Sequence, residues 1–229
     1  MESKQDILEH FADRLTVIDH PLVSHKLSVI RDKETPSNIF RDAVHELAML
    51  EAYEATRTLP TLEVQVETPI AVTTCRTIKG REPVIVPILR AGLAMQDAFT
   101  TLIPTAPVAH LGMYRNEETH EPIEYYAKMP SDIAERPVLV VDPMLATGGS
   151  LAAAIRSLRK RGVADITCVV MVATPEGIKR VLEFDPNVRI ITAALDDGLN
   201  DDAYIVPGLG DAGDRIFQTL NTAVESDIS

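Results

Sequence analysis

The sequence predicts a parallel α/β sheet with helices on both of its faces. Three observations predict it. Short runs of Val, Ile and Leu alternate with segments whose apolar residues recur at helical spacing. One such run, 138–141, ends in an acid and a Gly-rich loop, then passes into a helical pattern. Aromatic residues make up only 4% of the chain and Trp is absent, so aliphatic side chains must fill the core. That composition suits a sheet buried on both faces.

The elements follow in order. Thr35-Pro36 reads as a helix start, with Thr35 as the cap and Pro36 at the first position. Phe40, Val44, Leu47 and Leu50 continue it at helical spacing. Residues 84–89 read as a strand, and Met95, Phe99 and Leu102 mark one face of the helix after it. Residues 108–113 are the next strand. The polar stretch 116–136 contains Pro122 and Pro130, and Ile123-Glu124-Tyr125-Tyr126 within it reads as one strand of a projecting hairpin. After strand 138–141, Leu151, Ile155 and Leu158 mark a helix. Arg156, Arg159, Lys160 and Arg161 gather toward its C-terminal end and Gly162 stands just past it, as the helix dipole and a C-cap require. Strand 166–172, helix 175–184 and strand 188–195 complete the alternation. No internal repeat or low-complexity linker interrupts it.

Composition narrows the function. The 229 residues, 45% hydrophobic, are enough for one sizeable domain. No segment approaches the roughly 20 apolar residues of a membrane helix. The N-terminus is charged without an apolar stretch behind it, so the expectation is a cytoplasmic protein that binds no membrane. The formal net charge of −12 argues against a nucleic-acid binder, which needs a basic surface. Cys75 and Cys168 each sit in an apolar run and read as buried free thiols.

The stretch from Val138 to Ser150 carries the most chemistry. Gly148 and Gly149 clear space for an anion, and the main-chain N–H groups around them can form a nest at the start of the next helix. Asp142 beside that nest cannot bind phosphate. It must face something else, such as sugar hydroxyls or a metal. An acid next to a phosphate cradle points to a sugar phosphate. The loop is not that of a nucleotide triphosphatase, because Ser150 follows Gly149 where a Lys would stand.

Asp142-Pro143-Met144-Leu145-Ala146-Thr147-Gly148-Gly149-Ser150 resembles the phosphoribosyl-diphosphate loop of the type I phosphoribosyltransferases. Most of them carry two adjacent acids here; Asp142-Pro143 is the variant that resembles the uracil phosphoribosyltransferase family. Four more segments agree in order: 20–27, 87–93, 112–118 and 204–214. The resemblance implies a type I phosphoribosyltransferase-like core with a projecting hairpin and a small hood. It spans residues from about 19 to 217, so 1–18 reads as an N-terminal extension of unassigned role and 19–229 as a single domain. One position departs: Ala203 stands where the family usually has Gly, and a positive φ there would strain an Ala.

The resemblance also implies the reaction. Uracil and phosphoribosyl diphosphate give uridine monophosphate and diphosphate, a step of pyrimidine salvage. Mg²⁺ is implied as cofactor, held mainly through substrate oxygens with no direct protein ligand. The partners implied are the two substrates and further copies of the chain, as homodimer or homotetramer, with room for a nucleotide effector such as GTP. The nest from Ala146 to Leu151 would take the 5′-phosphate, with the hydroxyls of Thr147 and Ser150. Asp142 would accept ribose hydroxyls and favour positive charge on the ring, with Pro143, Met144 and Leu145 in the same contact stretch. Arg90 and Arg115 would meet the diphosphate. Ile205, Gly210 and Ala212 would meet uracil through their main chain. Asp211 is placed at both substrates. Asp142, Asp211 and Arg115 are therefore the expected catalytic residues.

Other motifs are weaker. Gly208-Leu209-Gly210-Asp211-Ala212-Gly213 matches G-x-G-x-x-G, but too little chain follows for a dinucleotide fold. The six His residues lack metal spacing, and His20 and His25 read as structural. Arg76, Lys79 and Arg81 read as a solvated turn around Gly80 or, less simply, an anion site. Three other functions stay open at this point: transfer to another base, regulatory RNA binding on the same fold, and nicotinamide oxidoreduction.

Overall fold

The structure, a computed structural model, describes residues 4–115 and 122–219, leaving aside the side chains at 114, 115 and 122. Helix α1 (Lys4–His10) and strand β1 (Leu15–Val17) open the chain, followed by α2 (Pro21–Arg31) and α3 (Ser37–Ala55). The hairpin β2 (Thr61–Glu67) and β3 (Val72–Ile78) comes next. Then follow β4 (Val84–Leu89), α4 (Leu93–Leu102), β5 (His110–Arg115), β6 (Pro122–Lys128), β7 (Val138–Val141) and the short β8 (Met144–Leu145). The last part is α5 (Gly149–Lys160), β9 (Ile166–Ala173), α6 (Pro175–Phe184), β10 (Arg189–Leu195), β11 (Gly198–Leu199), β12 (Ile205–Val206) and α7 (Ala212–Phe217).

The main sheet runs β1-β10-β9-β7-β4-β5-β6, with β8 also paired to β9. All neighbours are parallel except β5 and β6, which form the expected hairpin. The tip of that hairpin, 116–121, lies outside the described residues. From β4 the chain goes to β5 on one side, then returns to β7 on the other. The β4–β7 boundary is therefore where strand order reverses, the place at which open parallel sheets bind ligands.

Strand periodicity splits the core into two layers. Ile85, Leu139, Val141, Val169 and Met171 face α3 and α4, where Phe40, Leu47 and Phe99 are fully buried. Val84, Val86, Val138, Val140, Val170 and Ile190 face α5 and α6, against Ile155, Leu158, Ile178 and Val181. Helices thus cover both faces, as the aliphatic composition anticipates.

The first described residues pack into the core. Ile7, Phe11 and Leu15 join the second layer, and β1 extends the sheet beside β10. Such side chains contribute about 1.5–3 kcal/mol each on burial, which holds down a helix too short to persist alone.

Two local expectations are corrected. Helix α3 begins at Ser37 with Pro36 as the flanking residue, and Thr35 makes no cap. Its Oγ1 donates instead to Val29 O at 2.7 Å, tying α3 to the end of α2. Cys75 is exposed, because β3 pairs only with β2 and leaves both faces of that ribbon outside the core; Cys168 is buried as expected. Gly80 does turn, at φ +87°, but Arg81 is engaged by Asp132 and Glu135 and is no spare cation. His20 is structural as read: its Nδ1 accepts from Leu22 N and caps α2. No helix among the described residues is long and apolar enough to cross a membrane.

Candidate active site

The candidate site is built where β4, β7, β9 and β10 end. Gly92 lets the loop after β4 press against β7: a Cβ there would lie 2.5 Å from Val141 O and 2.7 Å from Ile88 O. Arg90 heads that loop after a cis Leu89–Arg90 peptide, and Gly92 N closes it on Ile88 O at 2.9 Å. The exposed Arg90 guanidinium lies over the Phe217 ring of α7, 5.8 Å from its centroid.

Asp142 follows β7. Its N–H donates to Val169 O at 3.2 Å, and its Oδ1 accepts from Met144 N at a long 3.5 Å. Half-buried beside apolar strands, it is poorly solvated. Burial pushes its carboxyl up to about 7, and the Met144 N–H pulls the other way. It caps no helix, and among the described residues its one side-chain hydrogen bond is the local one from Met144 N. Pro143 O accepts from Met171 N and Val172 N, and β8 runs on beside β9.

The loop from 142 to 150 is braced from below by a helix the sequence did not connect with it. Thr174 caps α6, its Oγ1 accepting from Gly177 N at 3.0 Å while donating to Ala146 O at 2.7 Å. Thr174 N also donates to Leu145 O at 3.0 Å. Gly177 is required by this contact, since a Cβ there would lie 2.3 Å from Ala146 O. Gly148 adopts φ +75° and starts α5; a Cβ on it would lie 2.8 Å from Gly177 O. Thr147 Oγ1 accepts from Gly149 N at 3.5 Å, and Ser150 is exposed in the first turn of α5. The loop expected to form the nest therefore sits at a helix N-terminus, where main-chain N–H groups are left over.

The segment expected to meet uracil begins in the hood. β11 and β12 make a two-stranded antiparallel sheet closed by a turn in which Asn200 Oδ1 accepts from Asp202 N and Tyr204 N. Ala203 does take a positive φ, +63°, so its Cβ is strained as anticipated. After β12 the chain turns through Pro207, Gly208 at φ +61° and Gly210 at φ +79°. Ile205 and Ala212 are buried and Gly210 is exposed. Asp211 is exposed and caps α7, its Oδ1 accepting from Asp214 N at 2.9 Å.

Two arginines hold this segment, and the sequence reading missed both. Arg31 pairs with buried Asp196 and donates to Gly208 O at 2.7 Å, while Asp196 Oδ2 accepts from Gly208 N at 2.9 Å. Arg215 donates to Leu209 O at 2.8 Å and to Asp32 O at 2.6 Å. Only Arg215 gave a signal, as a cation just after a Gly-rich turn; Arg31 lies far from it in sequence. A Cβ on Gly213 would lie 4.0 Å from Ala91 Cβ, so the base segment meets the Arg90 loop. Arg115 ends β5; its side chain lies outside the described residues.

A parallel sheet with a Gly-rich loop and helix N-terminus at its switch point, a projecting hairpin and a separate hood defines a type I phosphoribosyltransferase fold. Adenine phosphoribosyltransferase from Trypanosoma brucei, solved with AMP, pyrophosphate and ribose-5-phosphate, shares that fold at TM-score 0.54, covering 82% of this chain and 86% of its own, with 12% identity. The AQ2163 protein of Aquifex aeolicus superposes far better, at TM-score 0.84 and 38% identity over 90% of this chain and 98% of that one. The sequence profile of uracil phosphoribosyltransferase matches residues 17–219. The uracil phosphoribosyltransferase of Caldanaerobacter subterraneus subsp. tengcongensis is 58% identical over 207 residues, 90% of this chain and 99% of that protein. That of Lactiplantibacillus plantarum is 52% identical over 206 residues, 90% and 99% respectively. The chain belongs to the uracil phosphoribosyltransferase family.

Proposed function

We propose that the chain transfers the phosphoribosyl group of 5-phosphoribosyl 1-diphosphate to uracil, giving uridine monophosphate and diphosphate. The observation that carries this reading is the nest from Ala146 to Ser150, braced by Thr174 and Gly177, beside a carboxylate that caps nothing. The nest suits the 5′-phosphate. Asp142 suits the ribose hydroxyls and the positive charge that builds on the ring as the bond from C1 to the diphosphate oxygen breaks. The bond from C1 to uracil N1 forms as the uracil proton leaves. Arg90 and Arg115 are assigned to the diphosphate, where aimed donors contribute about 2.7–4 kcal/mol each to a transition state. Ile205, Gly210 and Ala212 are assigned to uracil through main-chain groups, and Asp211 to the substrates beside them. A mismatched base would leave buried donors and acceptors unpaired, which costs roughly 10⁴-fold in specificity.

Mg²⁺ fits this donor set. Among the described residues no cluster of three or more His, Cys, Asp or Glu forms a metal cage. Asp142 and Asp211 offer hard oxygens suited to an ion that keeps most of its ligands on phosphates and water. The chemistry it supplies when bound is neutralisation of the charge on the departing diphosphate.

The reading includes a homo-oligomer in the cytoplasm. Free thiols at Cys75 and Cys168 suit a reducing compartment. The β2–β3 ribbon joins no other sheet and exposes Ile70 at 95% and Val72 at 65%, apolar surface suited to another copy. The test of the function is formation of uridine monophosphate from radiolabelled uracil with and without Mg²⁺, against a panel of other bases. No product from uracil, or equal transfer to cytosine, would overturn it.

A further inference from the structure

The phosphate nest holds no cation of its own: residues 142–150 contain neither Lys nor Arg. The ligand proposed for it is an anion, on a chain of net charge −12. The structure supplies a cation from elsewhere. Helix α6 is locked onto the nest at its first turn by Thr174 and Gly177. One turn on, on the same face, stands Arg180. Its Nη1 donates to Thr147 O at 3.4 Å, across 33 residues of sequence. The same nitrogen lies 3.6 Å from where a Cβ on Gly149 would be, beside the first amides of α5.

Among the described residues, neither neighbouring carboxylate of α6 pairs with Arg180. Glu176, four residues earlier on α6, turns toward Gly198, where an added Cβ would lie 3.3 Å from its Oε1. Its Oε2 is buried without a partner. Glu183, three residues later, is 3.9 Å from Lys179. Among the described residues, Arg180 has its one polar contact with the nest itself. Other arginines of the chain, such as Arg57, Arg81, Arg136 and Arg189, pair with carboxylates.

We infer that Arg180 is a substrate-binding residue that grips the 5′-phosphate of phosphoribosyl diphosphate from outside the nest. The inference rests on the proposed reading of the nest and adds to it the charge the loop lacks. A guanidinium suits the role, since its planar fork meets two phosphate oxygens at once and stays charged. The 3.4 Å contact with Thr147 O is weak enough to yield to a phosphate. The 5′-phosphate is untouched by the reaction, so this grip acts equally on ground and transition states and belongs in KM rather than kcat.

The test is calorimetric binding of ribose 5-phosphate to the full chain and to Arg180→Gln and Arg180→Lys. Because Arg180 is exposed, both variants fold, which circular dichroism verifies. Arg180→Gln is expected to bind about tenfold more weakly, the size of one solvent-screened contact to a charged group. Arg180→Lys should recover part of that loss. In turnover, Arg180→Gln should raise KM for phosphoribosyl diphosphate by a similar factor with kcat and KM for uracil unchanged. Native-like affinity in Arg180→Gln, with the unaltered chain binding ribose 5-phosphate, overturns this inference alone. Absence of binding by the unaltered chain overturns the reading of the nest and this inference with it.

Discussion

Arg31 and Asp196, 165 residues apart, meet in a two-pronged ion pair, with Nη1 to Oδ2 at 2.8 Å and Nη2 to Oδ1 at 2.6 Å. Both also bind Gly208, the arginine at its carbonyl and the aspartate at its N–H. The pair therefore clamps the turn between β12 and α7, and ties it to the end of α2 on one side and of β10 on the other. Arg31→Met leaves a buried carboxylate without its cation, which costs about 3 kcal/mol. Thermal melts should show that loss. Steady-state kinetics should show KM for uracil rising more than KM for phosphoribosyl diphosphate. A variant with native KM for uracil would detach the clamp from base binding.

Gly148 and Gly177 face each other under the nest. Gly148→Val forces a branched side chain into φ +75°, with its Cβ 2.8 Å from Gly177 O. It should abolish calorimetric binding of phosphoribosyl diphosphate. Gly177→Ala, whose Cβ would lie 2.3 Å from Ala146 O, should also weaken binding and cost about 1–3 kcal/mol of stability by overpacking. Retained affinity in both would show that the nest does not hold the substrate.

Asp142 should titrate near neutrality in the free enzyme, since burial raises its carboxyl from 3.8 to about 7. The folded chain then keeps a proton that the unfolded chain releases. Its contribution to stability falls as pH rises from 3.8 to about 7 and is level above that. Activity runs the other way. Only the ionised carboxylate favours positive charge on the ribose, so kcat/KM should fall as pH drops through about 7. A carboxyl ¹³C resonance moving with that midpoint, and missing in Asp142→Asn, is the direct check.

Glu51 is fully buried on α3 and neither carboxylate oxygen makes a hydrogen bond. Burial holds its pKa well above the usual carboxylate value, although the nearby Ala193 main chain draws it back. Above the ordinary Glu range the fold must retain this proton or bury a charge, so stability falls as pH rises. Glu51→Met removes that cost. It should stabilise the protein by about 2 kcal/mol at pH 8 and by less at pH 5, read from thermal melts. Equal stability of the two chains at pH 8 would show that the carboxylate finds a partner.

The elements that were legible are those encoded locally. Val138 to Val141, the glycines after them and Leu151, Ile155 and Leu158 make strand, turn and helix from nearest-neighbour pattern alone, and each lies where its spacing put it. Ala203 likewise carries its strain in its own φ. Cys75 was misread because apolar neighbours do not reveal whether a strand joins the core, and β3 joins only β2. Thr35 was misread because a residue that can cap can also reach backward, and Val29 O was in range.

Hydrophobic period, glycine placement and lack of aromatic bulk were thus sufficient by themselves for a parallel sheet ending in a Gly-rich loop at a helix start. Only the tertiary structure decided what steadies that loop and the turn after β12: Thr174 under Ala146, Arg180 beside Thr147, Arg31 with Asp196 around Gly208. The physical reason is distance along the chain. Those partners are brought together by the order in which strands assemble, and strand order is a property of packing two whole layers that no local run of residues contains.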